Sequence, residues 1–159
     1  MMKKLMMLLA AVCAAQVPAA DLQDWKSSKP QNFRALPGQV KVVNIWATWC
    51  APCRKEMPAM SAWYQKQDKK KVSLVGVAID KRESIGQFLQ KTPVVYPVWH
   101  YSGNDSRAFM KTLGNQFGGV PYTVVYADKC DKRQNIAGEV NAAKLDEAVK
   151  AVRMQCKLG

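Results

Sequence analysis

Cys50 and Cys53 are the residues of this 159-residue chain whose types and spacing could do chemistry. They stand in the stretch Trp46-Ala47-Thr48-Trp49-Cys50-Ala51-Pro52-Cys53-Arg54-Lys55-Glu56-Met57-Pro58. An apolar β-type run, Val42 to Trp46, enters it, and a helical pattern carrying Met60, Trp63 and Tyr64 leaves it. A Cys-x-x-Cys at a strand-to-helix junction is the pattern of a redox dithiol. The free N–H groups and positive dipole end of the helix favour a thiolate at Cys50. Cys53 lies one turn on, close enough to close a small disulfide. Pro52 suits the first turn, where its missing N–H costs nothing. The rival reading is half of a zinc site. A structural zinc takes four ligands, commonly as two close-spaced pairs, and the chain has no second Cys-x-x-Cys. The redox reading is therefore preferred, and no metal is assigned.

The elements that must position this pair can be read outward from it. Val42 to Trp46 is the first core strand, and the helix from Cys50 should reach about Gln67, kinked at Pro58. Val72 to Ile79 is a near-continuous apolar run, as in a buried parallel strand. Asp80-Lys81-Arg82-Glu83 matches a capping box, with Asp80 as N-cap and Glu83 reaching back, before Ile85, Phe88 and Leu89 at helical spacing. Pro93 to Tyr101 reads as a loop and a short strand. A further helix begins near Asp105 or Ser106, buries Phe109 and Leu113, and stops at Gly114. Gly118-Gly119-Val120-Pro121 leads into a strand from Tyr122 to Tyr126, Asp128 to Lys132 turns, and Arg133 to Ala137 returns as an antiparallel partner. Asn141 caps a last helix whose apolar stripe is Leu145, Ala148, Val149, Val152 and Cys156. This order gives an α/β fold, a mixed central sheet flanked by helices, with the dithiol after the carboxyl end of a central strand.

One domain accounts for the length. Residues 1–19 read as a cleaved signal peptide: Lys3 and Lys4, an apolar run from Leu5 to Ala15, then Gln16-Val17-Pro18-Ala19-Ala20 with small residues at the cleavage site, after Ala19 or alternatively after Ala20. The run is too short to span a bilayer. Cys13 raises a lipoprotein alternative, but Ala10-Ala11-Val12 before it is a poor lipobox. Residues 20–40 form a polar, irregular lead-in with room for one short edge strand, and 41–159 form the folded domain. Cleavage would leave four cysteines, Cys50, Cys53, Cys130 and Cys156, in a compartment where disulfides persist. The formal charge of +12 falls to +10 without Lys3 and Lys4. The lysines are scattered, which reads as a solvated basic surface more than as attraction to acidic partners or anionic lipid. No nucleic-acid partner is expected.

From about Val40 to Val152 the sequence resembles the thioredoxin superfamily, and within it the exported TlpA/ResA-like thiol–disulfide oxidoreductases. The resemblance rests on Val43 to Pro58 and on Val120-Pro121. It implies the thioredoxin fold, a nucleophilic Cys50, a resolving Cys53 and a cis-proline at Pro121 facing the pair. A cis bond there would leave the Val120 backbone to pair with a substrate strand. Cytosolic relatives carry a buried acid where this chain has Asn44, which cannot shuttle a proton. ResA-like members instead carry a glutamate three residues after the second cysteine, here Glu56, whose role would be proton exchange with the pair; the alternative is a solvated helix glutamate. Tyr122 stands where the haem-maturation subgroup has a glutamate, so that specialised role is not assigned. Trp46 should be core. Trp49, just before Cys50, should shield the disulfide and offer substrate a stacking surface. His100, the only histidine, should be a loop residue without catalytic duty.

The expected activity is reduction of protein disulfides through a mixed disulfide. The Cys50–Cys53 pair carries the electrons, so no cofactor is needed. The resemblance suggests a DsbD-type membrane electron donor and a periplasmic, monomeric enzyme. A disulfide-forming oxidant is the second reading. A Cu(I)-binding module, with Met57 or Met60 beside the thiolates, is a third from another class.

Cys130 and Cys156 are expected to form a structural disulfide, on geometry. Roughly six strand residues at about 3.3 Å cover about 20 Å. Roughly fourteen helical residues at about 1.5 Å cover about 21 Å. The helix end thus returns to the level of the hairpin turn. Two free thiols, or thiols shared with the active pair in a metal site, are the alternatives.

Overall fold

The structure is a computed structural model that describes residues 21–159. The signal-peptide reading and Cys13 lie outside the described residues.

Seven consecutive buried residues form β2 (Val40–Trp46), at the centre of a six-stranded sheet. Beside it run β3 (Val72–Ala78), parallel, and β5 (Tyr122–Ala127), antiparallel. β4 (Val98–Tyr101) extends the sheet parallel to β3, and β1 (Leu22–Asp24) closes that edge antiparallel to β4. The opposite edge is β6 (Arg133–Ala137), the hairpin partner of β5. The sheet order is β1-β4-β3-β2-β5-β6, mixed as the element order requires.

Alternation along β2 divides the core between the two faces of the sheet. Val40, Val42 and Trp46 join a cluster with Met57, Met60 and Trp63 of α1 (Ala51–Gln65), Ile85 and Leu89 of α2 (Arg82–Lys91), and Leu145, Val149 and Val152 of α4 (Ala142–Gln155). Val43 and Ile45 join Val75, Val77, Trp99 and the Phe109 and Met110 side chains of α3 (Ser106–Thr112). Asn44 keeps the parity of Val42 and Trp46, so a polar side chain enters the face that α1 and α4 cover. On β5, Thr123 keeps the parity of Val125 and lies opposite Asn44 in the antiparallel register.

Three local expectations are corrected. α2 does not start from a capping box: its N-cap is Lys81, with no side-chain cap bond. Asp80 instead turns back to Thr48, whose N–H and hydroxyl both donate to its Oδ2, while Oδ1 accepts from Lys81 N–H at 2.7 Å. Two donors in a fixed loop outcompete one helix terminus. His100 is a strand residue of β4, registered between Gln23 and Ala78, and not a loop residue. Its imidazole is half-buried, and burial together with the Arg82 charge lowers its pKa. α1 ends at Gln65, short of Gln67, with Lys66 as C-cap. The caps Asn141 and Asp105 accept from Lys144 N–H and Ala108 N–H, at 2.9 and 2.8 Å. Gly114 follows α3 at φ +92°, a left-handed conformation suited to glycine.

Candidate active site

β2 delivers its chain end to the site through Ala47 and Thr48, and α1 begins at once. Cys50 is the N-cap of α1, and its Sγ accepts from the Cys53 N–H at 3.2 Å. A sulfur at this position meets the unpaired N–H groups of the first turn, which is where a thiolate is stabilised. Cys50 and Cys53 are joined as a disulfide with Cα atoms 5.3 Å apart. Cys53 is wholly buried and Cys50 is 5% exposed, so Cys50 is the sulfur nearer solvent. Trp49 beside it is 67% exposed, an aromatic face open to a partner, whereas Trp46 is wholly buried in the core. The Val120–Pro121 peptide bond is cis.

Glu56 sits three residues after Cys53 on α1, one turn further along the same face. Its side chain is 1% exposed. Oε1 accepts from Asn44 Nδ2 and Oε2 from Val140 N–H, both at 2.8 Å. Burial raises its pKa to about 7, and the nearby Glu139 charge adds to the rise; the Val140 and Asn44 hydrogen bonds and the Lys144 charge oppose it. The solvated-glutamate alternative therefore does not describe Glu56. It is a buried carboxyl poised to gain or lose a proton near neutral pH.

Sequence reasoning did not anticipate the groups that hold this acid, Asn44 and the Val140 N–H, nor Thr123, whose hydroxyl accepts the second N–H of the Asn44 amide. The available signal was Asn44 itself, a polar residue inside an otherwise apolar strand at a core-facing position. Met57 and Met60, weighed as Cu(I) ligands, are wholly buried among the core side chains. Cys130 and Cys156 lie at the far end of the β5–β6 hairpin, joined as a disulfide with Cα atoms 5.6 Å apart, and take no part in the site.

The Redoxin family matches residues 14–133, three quarters of the chain. The chain belongs to the Redoxin family. Thiol-disulfide oxidoreductase ResA of Bacillus thuringiensis subsp. konkukian is 31% identical over 127 residues, spanning 78% of this chain and 69% of that relative. ResA of Oceanobacillus iheyensis is 29% identical over 112 residues; the match spans 70% of this chain and 56% of the relative's length. A crystal structure of a thioredoxin-related protein from Neisseria meningitidis serogroup B superposes with a TM-score of 0.81 at 54% identity, covering 84% of this chain and 98% of that one. This Redoxin-family chain thus has the thioredoxin fold and stands with the ResA-like thiol–disulfide oxidoreductases.

Proposed function

We propose that this protein is an exported reductase of protein disulfides. The observation that carries the reading is the pairing of a helix-capping Cys50 with a buried carboxyl, Glu56, one turn beyond the resolving Cys53. In the reduced enzyme the Cys50 thiolate attacks one sulfur of a substrate disulfide, forming a mixed disulfide and releasing the other substrate sulfur as a thiolate. Cys53 passes its proton to the Glu56 carboxylate and attacks the Cys50 sulfur. The second substrate sulfur then leaves as a thiolate, and both substrate thiolates take up protons from water. Two electrons have moved from the enzyme dithiol to the substrate, leaving the Cys50–Cys53 disulfide.

Trp49 and the Val120 backbone beside Pro121 are the surfaces offered to the substrate chain. Return to the dithiol form requires a donor, for which the resemblance suggests a DsbD-type membrane conduit. Among the described residues no helix is long and apolar enough to cross a membrane. Reduction of insulin by the dithiothreitol-recycled protein tests the reading. Catalysis should vanish in Cys50→Ser, and Cys53→Ala should trap a covalent enzyme–substrate mixed disulfide. Undiminished insulin reduction by Cys50→Ser would overturn it.

A further inference from the structure

Asn44 is wholly buried, and Nδ2 spends both of its hydrogens: one on Glu56 Oε1 at 2.8 Å, one on Thr123 Oγ1 at 3.0 Å. The other end of the amide, Oδ1, is buried and has no hydrogen-bond partner among the described residues. An amide turned so that its oxygen is unpaired calls for a physical reason for that orientation. The geometry supplies one. An ionised carboxylate can only accept, so it needs the amide turned with Nδ2 toward it. The Thr123 hydroxyl takes the second N–H and fixes the amide plane. Thr123 is itself wholly buried, so nothing from solvent substitutes for it.

We infer that Asn44 and Thr123 are positioning residues for the redox reaction: Thr123 anchors the Asn44 amide, and the amide holds the Glu56 carboxyl in the orientation from which it exchanges protons with the thiols. The inference rests on the role proposed above for Glu56. It assigns to Asn44, which cannot carry a proton itself, control over the group that does. The remaining groups acting on Glu56 lie on other elements. Val140 N–H and Glu139 come from the loop before α4, and Lys144 from the first turn of α4. Tyr96 approaches from the loop before β4, its hydroxyl without a hydrogen-bond partner among the described residues and its own ionisation disfavoured by burial and by the Glu56 charge. Lys55 engages Glu139 at 3.0 Å, on the exposed side. None of these hydrogen-bonds to the Asn44 amide, so its contribution can be separated from theirs.

The test reads Glu56 directly, by infrared difference titration of the oxidised protein against Glu56→Gln. Asn44→Ala removes a donor to the charged form, and the Glu56 midpoint should rise by about one pH unit. Thr123→Val should shift it in the same direction by less, and Thr123→Ser, which restores the hydroxyl, should return it to the wild-type position. If Asn44→Ala does not fold, the Thr123 pair carries the test. The pH dependence of Cys50 alkylation in the reduced variants is measured alongside, and should move with the Glu56 midpoint. A Glu56 midpoint that stays in place in Asn44→Ala and Thr123→Val overturns the inference while leaving the role of Glu56 standing. A midpoint that moves without any change in the thiol profile, with Glu56→Gln equally silent, overturns the role of Glu56 and the inference with it.

Discussion

Asp80 accepts two hydrogen bonds from Thr48, one from the backbone N–H at 3.2 Å and one from the hydroxyl. The contact clips the loop that carries Trp49 and Cys50 to the chain leaving β3, so the strand beside β2 helps to set where the disulfide lies. Asp80→Ala should lower stability by about 1–3 kcal/mol, the range for a lost hydrogen-bonded carboxylate, and slow insulin reduction. Thr48→Val, which removes one of the two bonds, should show a smaller loss of both. Urea unfolding and the insulin assay check this; an Asp80→Ala protein of wild-type stability would contradict it.

Cys50 should be the reactive thiol. It caps the helix and is nearer solvent, whereas Cys53 is wholly buried. Iodoacetamide added to reduced protein at mildly acidic pH should label Cys50 first, as read by peptide mass mapping. Preferential labelling of Cys53 would reverse the assignment.

Glu56 makes stability depend on pH in a stated direction. An unfolded chain releases this proton near the ordinary value of 4.5, the folded chain near 7. Between those values the folded state holds a proton the unfolded state has lost, so stability present below pH 4.5 is withdrawn as pH rises to about 7. The expected loss is about 3 kcal/mol. Urea midpoints of the oxidised protein across this range should fall relative to those of Glu56→Gln. Parallel curves for the two proteins would return Glu56 to an ordinary acid.

The Cys130–Cys156 bridge spans a sequence separation of 26. On the chain-entropy account a loop of that length is worth about 3–4 kcal/mol, and the bridge is remote from Cys50. Cys130→Ser with Cys156→Ser should lose stability of that order while keeping insulin reduction. Trypsin digestion without reductant should yield a linked Cys130–Cys156 peptide from wild-type protein; free thiols at both positions would refute the bridge.

The parts of this architecture written in local order were legible in the sequence. Seven apolar or small residues make β3, and the Val42–Trp46 run falls within β2; Asn141 and Asp105 sit where caps belong. What failed were choices between a local and a distant partner. Asp80 had a plausible helix to cap, but Thr48, 32 residues away, offered two donors. His100 lies in a strand because β1 from the lead-in pairs with β4 and makes it interior. In the site, spacing pointed to Cys50 and Cys53, and the resemblance to ResA-like members pointed to Glu56; all three lie within two turns of one helix. Asn44, Thr123 and Val140 lie 12, 79 and 84 residues from the groups they contact, and only the folded sheet brings them together.

The reduction potential of the Cys50–Cys53 pair tests the central claim, that this dithiol donates electrons to protein disulfides. Equilibration of the protein with glutathione buffers, read by thiol trapping, gives it directly. A donor should lie near the thioredoxin value of about −270 mV, far below the strong oxidant DsbA at about −120 mV. A potential at the DsbA end of that range would contradict the account and make the protein a disulfide-forming oxidant.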